Sequence, residues 1–236
     1  MLKFRENEQD RLVDDIRYVI GLDLSTVSSG IALYSVREGK VLKFSSIRDS
    51  SDCKIYLQGK KIAEWIKQVQ QEFNIKQEEL LIAKEQQPLQ YGKFTTISTL
   101  IAIAKVHGII ENLCYCWHWS VLDVPVATVR KTVLGNAKAD KEEVFKSISR
   151  RCPEILEWKG EHDIADAIGV CYGAIPALLN FYGDLIKEKK KELKKYKSVK
   201  KLQEIQNEIN KLKEIRGEGL WVKFPKREFN HSIFTR

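Results

Sequence analysis

The sequence predicts an α/β fold in which helices flank a mixed β-sheet, followed by a C-terminal helical extension. Short β-rich runs alternate with longer helical patterns over residues 17–183. Lys and Glu then dominate residues 184–216, where apolar residues recur at steps of three, four or seven. The 236 residues leave room for one α/β domain of about 170 residues and an appendage.

This pattern divides the chain into four parts. Residues 1–16 are predicted to be a helical leader, and residues 17–183 the α/β domain. Residues 184–216 are predicted to be a Lys-rich helical extension, either a coiled-coil strand or a helical hairpin that breaks near Ser198. The remaining residues, 217–236, form a tail that alternates aromatic and basic side chains.

The first element of the α/β domain is a predicted β-hairpin over residues 18–34. Two β-rich runs flank a turn of Ser, Thr and Gly residues. Asp23 falls beside Leu22 and Leu24, where an ionised carboxylate is costly unless it is paired or bound to a metal. A structural Asp that caps the turn is the alternative.

A second carboxylate, Glu85, ends the run of residues 79–85, which predicts a short buried strand stopped by Pro88. A Glu at the end of a strand is usually solvated, and Lys84 is close enough in sequence to pair with it.

Two helices and one strand are predicted next. Residues 55–73 and 95–116 have helical patterns, and residues 121–127 have a strand pattern. Cys114 and Cys116 lack a second Cys/His pair at zinc-finger spacing, so residues 114–118 are predicted to alternate as a strand rather than to bind zinc.

Asp163 and Asp166 open an apolar helix predicted to end near Phe181, and their spacing places both carboxylates on one helical face. Acidic residues in the first turn of a helix also accept hydrogen bonds from unpaired backbone N–H groups and interact favourably with the helix dipole, which is the structural alternative for both residues. His162 lies four residues before Asp166 and therefore shares nearly the same face.

Taken in order, these elements match a known family. The chain resembles the RuvC-type Holliday junction resolvases of the ribonuclease H superfamily over residues 17 to about 180. The matching motifs are Gly21-Leu22-Asp23 through Gly30, Glu85-Gln86, Ile103 to Gly108, Val124 to Gly135, Lys141 to Val144, and Asp163-Ile164-Ala165-Asp166-Ala167. Each motif is weak alone, but their joint occurrence in the right order is a strong signal. The Lys- and Ile-rich composition and the divergent residues 86–94 favour a phage or viral member.

The resemblance implies a ribonuclease H-like sheet and a metal-dependent endonuclease that hydrolyses phosphodiesters in four-way DNA junctions. Two Mg²⁺ ions per active site, replaceable by Mn²⁺, would take oxygen ligands. The implied ligands are Asp23, which would bridge the ions, and Glu85, Asp163 and Asp166. His162 is the alternative to Asp163, because some relatives carry His at the equivalent position.

The resemblance also implies basic and aromatic groups that contact DNA. Lys141 matches a catalytic or phosphate-contacting lysine, although a solvated helix start is the alternative for it. In the loop after Glu85, Tyr91 or Phe94 would wedge into the junction centre, unless these rings pack in the core. The full set of implied DNA contacts is Lys131, Lys138, Lys141, Tyr91, Lys93 and Phe94.

The composition fits a DNA-binding enzyme. A net charge of +8 favours a polyanionic partner, here branched DNA. A two-fold symmetric junction would be matched by a homodimer. No membrane span or signal peptide is expected, and the odd number of five cysteines predicts a cytoplasmic protein of a bacterium or an infected host cell rather than a secreted one.

Two other functions stay open at this point. The same metal chemistry would serve an RNA–DNA hybrid, a flap or a replication fork. An actin-like nucleotide-binding protein also has a first hairpin with Asp, Ser/Thr and Gly, although this sequence shows no second glycine-rich phosphate loop.

Overall fold

The computed structural model describes residues 16–48, 54–87, 96–193 and 199–217. Within these residues, five β-strands form one mixed sheet in the order β3-β2-β1-β4-β5. The pairs β1–β2 and β2–β3 are antiparallel, and the pairs β1–β4 and β4–β5 are parallel. The strands are β1 (Tyr18–Asp23), β2 (Ser28–Ser35), β3 (Lys40–Arg48), β4 (Leu80–Glu85) and β5 (Ser120–Val124).

Six α-helices accompany the sheet in the described parts of the chain. They are α1 (Lys54–Glu72), α2 (Ile97–Cys116), α3 (Val126–Leu134), α4 (Lys141–Arg151), α5 (Glu161–Leu193) and α6 (Val199–Gly217), and Gln77–Glu79 and Pro153–Glu157 form short 3-10 turns. The predicted mixed sheet with flanking helices and a C-terminal helical extension is confirmed.

Two local predictions were wrong. The strand expected over residues 121–127 ends at Val124, because Pro125 caps the start of α3. Cys114 and Cys116 lie in the last turns of α2 rather than in an alternating strand. Their alternation between buried and exposed positions arises from the helix, in which residues two apart lie on different sides.

The sheet separates two apolar cores. On one face, Val19 packs with residues of α3, α4 and α5. On the other face, Ile20 and Leu22 pack with residues of α1 and α2. This arrangement follows from the strand period of two, which sends successive side chains of β1 to opposite faces.

Helix α5 lies directly on the backbone of β1 and β2 because two glycines leave room for it. A Cβ atom on Gly30 would lie 1.8 Å from the Asp163 carbonyl oxygen. A Cβ atom on Gly21 would lie 2.2 Å from the Ala167 carbonyl oxygen. The close approach brings the first turns of α5 to the end of β1.

The extension is a helical hairpin, one of the two predicted alternatives. Helix α6 packs against α5 through a small core of Ile186, Ile205 and Ile209. The Lys189 ammonium and the Glu208 carboxylate add an ion pair at 2.6 Å. Helix α5 runs without interruption across position 184. The break near Ser198, residues 1–15 of the predicted leader, and residues 218–236 of the tail lie outside the described residues.

Two helices, α2 and α5, are long and apolar enough to cross a membrane by length and composition. The expectation that no segment would meet that test was therefore wrong. Helix α5 meets it because it is a core helix, and 67% of its most apolar window is buried, whereas only 22% of the α2 window is buried. Helix α2 thus carries apolar side chains that its own domain leaves exposed.

Candidate active site

All four predicted carboxylates lie at one edge of the sheet. Asp23 is the last residue of β1 and Glu85 the last residue of β4, and these neighbouring strands are parallel, so both side chains stand at the carboxyl edge. Asp163 and Asp166 reach the same edge from the first turns of α5. In α/β sheets this edge is where ligands usually bind.

The three innermost carboxylates disfavour one another's ionisation. The pKa of Asp23 is raised from its ordinary value of 3.8 to about 8, mainly by burial and then by the charges of Asp166 and Glu85. Burial, and then the Asp166 charge, also raise the pKa of Glu85. Burial is likewise the main cause of a raised pKa at Asp166. The site therefore concentrates negative charge where little water can screen it.

Lys141 provides a positive charge among these carboxylates. It is the first residue of α4, a position fixed by Asp140, whose Oδ1 accepts a 2.7 Å hydrogen bond from the Glu143 backbone N–H. The Lys141 Nζ lies 2.5 Å from Asp166 Oδ2. Burial opposes the charge of Lys141, but the hydrogen bond to Asp166 and the nearby carboxylates outweigh it and raise the lysine pKa. One ammonium group therefore faces at least three carboxylates.

Asp163 stands at the margin of the cluster and has its own partners. Ser28 Oγ donates a 2.5 Å hydrogen bond to Asp163 Oδ2. Arg48 Nε donates to Ser28 Oγ at 3.0 Å, and Arg48 Nη2 lies 4.0 Å from the same Asp163 oxygen. Of the carboxylates that raise the Asp23 pKa, Asp163 has the smallest effect. Ser28 and Arg48 were not predicted, although Ser28 belongs to the Ser/Thr turn seen in the sequence.

His162 lies on the outer side of the same helical turn. Its exposed imidazole stacks on the Phe145 ring with the ring centroids 4.0 Å apart and an interplanar angle of 24°. Its charged form is near enough to Asp166 to oppose the rise in the Asp166 pKa. The choice between Asp163 and His162 as the fourth metal ligand stays a prediction.

The basic residue of α3 that acts on the cluster is Arg130, which sequence reasoning missed. Its charge counteracts the rise in the Glu85 pKa. The neighbouring Lys131 is exposed and lines a groove beside α3 and α4 instead. Lys138 is exposed in the loop before α4. Tyr91, Lys93 and Phe94 lie outside the described residues. The DNA contacts predicted for all six positions, Lys141 included, stay predictions.

The donor set suits a hard divalent cation. Within the described ranges, no three Asp, Glu, His or Cys side chains are already close enough together to hold a metal ion. The oxygen-only set of Asp23, Glu85 and Asp166 nevertheless matches the preference of Mg²⁺. A cation would also relieve the repulsion that raises the pKa values of these three groups. Asp163 is placed to complete the set.

Lys84 does not pair with Glu85, because adjacent strand residues point to opposite faces. It is buried on the α1–α2 face, with its Nζ in an ion pair with Asp123 and 2.9 Å from Glu111 Oε1. The His107 Nδ1 atom lies 3.3 Å from the same ammonium.

No protein-family model and no curated protein sequence matches this chain. Among solved structures, Thermus thermophilus RuvC superposes with a TM-score of 0.51 at 19% identity, over 69% of this chain and 96% of that chain. The domain has a RuvC-like fold.

A second structure of T. thermophilus RuvC, in complex with a Holliday junction substrate, gives a TM-score of 0.50 at 17% identity, over 69% of this chain and 95% of that chain. The yeast mitochondrial Holliday junction resolvase Ydc2 gives 0.47 at 15% identity, over 73% of this chain and 85% of that chain. The RuvC-like fold confirms the predicted ribonuclease H-like sheet.

Proposed function

We propose that this protein is a Mg²⁺-dependent endonuclease that resolves four-way DNA junctions by phosphodiester hydrolysis. The observation that carries the proposal is the cluster of half-buried carboxylates, Asp23, Glu85 and Asp166, at the carboxyl edge of a RuvC-like sheet. Such mutually destabilising charges persist in a fold when they have a function. A solved RuvC holds a Holliday junction, which supports branched DNA as the substrate.

In the proposed reaction, different residues would bind the metal ions, position a ligand and neutralise phosphate charge. Asp23, Glu85, Asp166 and Asp163 would hold two Mg²⁺ ions, or Mn²⁺ in their place, and the bound ions would supply an activated water and stabilise the leaving oxygen. Ser28 holds the Asp163 carboxylate in place through its hydrogen bond. Lys141, beside Asp166, is positioned to neutralise charge on the scissile phosphate. Arg130 adds positive charge near Glu85.

The proposed enzyme is a homodimer that joins through α2. Ile97 and Ile101 on this helix are 76% and 51% exposed. A Cβ atom on Gly108 would meet nothing within 4 Å, so the fold of one chain does not require this glycine. A mid-helix glycine costs about 1 kcal/mol relative to alanine. A close crossing of two α2 helices at Gly108 would explain why no side chain is present, and it would relate two active sites by a two-fold axis.

The function is tested by incubating the protein with four-way, three-way, flap and RNA–DNA hybrid substrates, with and without Mg²⁺ or Mn²⁺. We expect metal-dependent cleavage that is fastest on the four-way junction. Faster cleavage of another substrate would support the metal-dependent nuclease activity but contradict the four-way junction as the preferred substrate. No metal-dependent cleavage of any substrate, or tight binding of ATP without cleavage, would overturn the proposal.

The dimer is tested by light scattering on the wild type and on Gly108→Trp. The substitution points into open space in one chain, so we expect an unchanged circular dichroism spectrum but loss of the dimer. Glu142→Trp, at an exposed site of α4 on the other face of the sheet, is the matched control. A monomeric wild type, or a dimeric Gly108→Trp, would contradict this interface.

A further inference from the structure

An open groove of about 1520 Å³ lies on the α5 face of the sheet, bounded by α3, α4 and the turn between β2 and β3. Five basic side chains line it: Lys40, Lys131, Lys146, Arg150 and Arg151. Clefts lined by one sign of charge focus the electrostatic field. None of these residues belongs to the carboxylate cluster.

The two carboxylates that line the groove are engaged locally. The Glu143 side chain accepts a 3.1 Å hydrogen bond from the Asp140 backbone N–H at the start of α4. Glu154 hydrogen-bonds the Cys152 thiol and helps to raise the pKa of that thiol, after the larger effect of burial. The basic side chains of the groove therefore exceed its free acidic groups.

Among the basic residues, Arg151 has a structural role, because it donates a 3.0 Å hydrogen bond to the Val133 carbonyl oxygen. Lys146 has only a 3.7 Å contact with exposed Glu142, which contributes little. Within the described parts of the chain, no carboxylate lies at ion-pair distance from Lys131 or Arg150. Lys131, Lys146 and Arg150 are therefore free to bind an anion.

Helices α3 and α4 each carry residues that line the groove and a residue whose charge acts on the carboxylate cluster. Helix α3 directs Arg130 toward Glu85 and the next residue, Lys131, into the groove. Helix α4 places Lys141 beside Asp166 at its first residue and Arg150 in its last turn. These two α4 residues are about 14 Å apart along the helix axis. That distance corresponds to about four base steps of B-DNA.

We propose that this groove binds the sugar–phosphate backbone of one duplex arm of the branched DNA, about four base pairs from the cleaved phosphate. Lys131, Lys146 and Arg150 contact phosphate oxygens and read no bases, so the contact is independent of sequence. The inference rests on the proposed function and adds the path along which an arm leaves the active site.

The first test measures junction affinity against salt concentration without divalent metal, in an Asp23→Asn background that cannot cleave. Replacing Lys131, Lys146 and Arg150 by Gln should lower the slope of log affinity against log salt by about three, one for each lost phosphate contact. The matched control replaces three exposed lysines on the opposite face of the sheet, Lys60, Lys67 and Lys76, by Gln and should leave the slope unchanged.

The second test places neutral methylphosphonate linkages in one strand of the arm, about four nucleotides from the cleavage site. We expect them to weaken binding by the parent protein and to have no effect on the groove variant, whereas linkages at the arm end affect neither. Equal effects on both proteins, or an unchanged salt slope in the groove variant, would overturn the groove while leaving the nuclease standing. Failure of the parent protein to bind any branched DNA would overturn both.

Discussion

Lys84 and Glu85 are consecutive residues of β4, yet they enter opposite electrostatic environments. Lys84 is buried on the α1–α2 face, where Asp123 and Glu111 compensate its charge. Glu85 stands on the carboxyl edge, where burial and then the Asp166 charge oppose its ionisation and Lys141 and Arg130 favour it. One step along β4 therefore separates a lysine whose charge is compensated by nearby carboxylates from a glutamate whose ionisation is opposed.

The difference separates groups that serve the fold from groups that serve the chemistry. A buried charge with opposite charges around it can be accommodated without any ligand. A cluster of like charges raises the free energy of the folded protein until a cation binds. Substitutions in the carboxylate cluster and in the Lys84 ion pairs test this difference.

The largest expected effect is on cleavage by Asp23→Asn. The change removes the carboxylate proposed to bridge the two metal ions, so we expect metal-dependent cleavage to fall by more than about 1000-fold. Junction affinity should stay unchanged or increase, because one negative charge near the phosphates is lost. Single-turnover assays measure the rate, and a wild-type rate at saturating Mg²⁺ would show that Asp23 is not a ligand.

The next effect distinguishes Asp163 from His162. Asp163 is held in the cluster by Ser28, whereas His162 stacks outside it on Phe145. Asp163→Asn should therefore lower the cleavage rate by about 100-fold or more, and His162→Ala by less than about tenfold with a shifted pH profile. The pH dependence of the single-turnover rate is the measurement. The reverse ranking would make His162 the fourth ligand.

In the Lys84 ion-pair cluster, Lys84→Met should lower the stability of the fold rather than the cleavage rate. It leaves Asp123 without its buried partner, and we expect a loss of about 2–4 kcal/mol, because Asp123 keeps some contact with water. Urea unfolding measures the loss. A second change, Asp123→Asn, should recover part of it, and Lys60→Met is the exposed control. A loss no larger than that of the control would mean that the Lys84 cluster is not needed for the fold.

The smallest effects concern pH, and the two clusters should act with opposite signs. The Asp23 pKa is raised to about 8 from an ordinary 3.8, so the folded state binds the extra proton and this group costs more stability as pH rises from 4 to 8. Asp23→Asn should therefore be more stable than the wild type at pH 8 without metal, and the difference should vanish near pH 4.

Burial, followed by the Lys84 charge, lowers the pKa of His107 from 6.5 to about 4, so its contribution to stability is lost as pH falls through that range. His107→Gln should lose less stability than the wild type between these pH values. Thermal melts from pH 4 to 8 in a metal chelator test both variants. Identical dependence of stability on pH in the wild type and both variants would contradict the opposite pH effects expected of Asp23 and His107.

Local patterns predicted much of the fold and of the carboxylate cluster. The hairpin of Asp23, the strand of Glu85 and the helix of Asp163 each have a periodicity or a turn signal within one segment, and the family motifs supplied their order. The sequence did not show which basic residue of α3 acts on Glu85, because Arg130 and Lys131 differ by about 100° around the helix and the sequence does not fix that rotation.

Contacts between distant segments could not be predicted. Ser28 and Asp163 are 135 residues apart in the sequence, and their hydrogen bond depends on how closely α5 approaches β2. Arg48 joins the same network from an edge strand with no distinctive pattern. The exposed apolar side of α2 was missed for a related reason, because composition alone does not tell which helices a domain covers.

The length of α5 sets the distance between the carboxylate cluster and the far end of the helix. One continuous helix carries Asp163 in its first turn and ends at Leu193. At 1.5 Å per residue its end lies at most about 45 Å from the carboxylates, slightly more than the roughly 35 Å of one turn of B-DNA. Whatever binds at the far end of α5 is therefore held at a set distance from the carboxylate cluster.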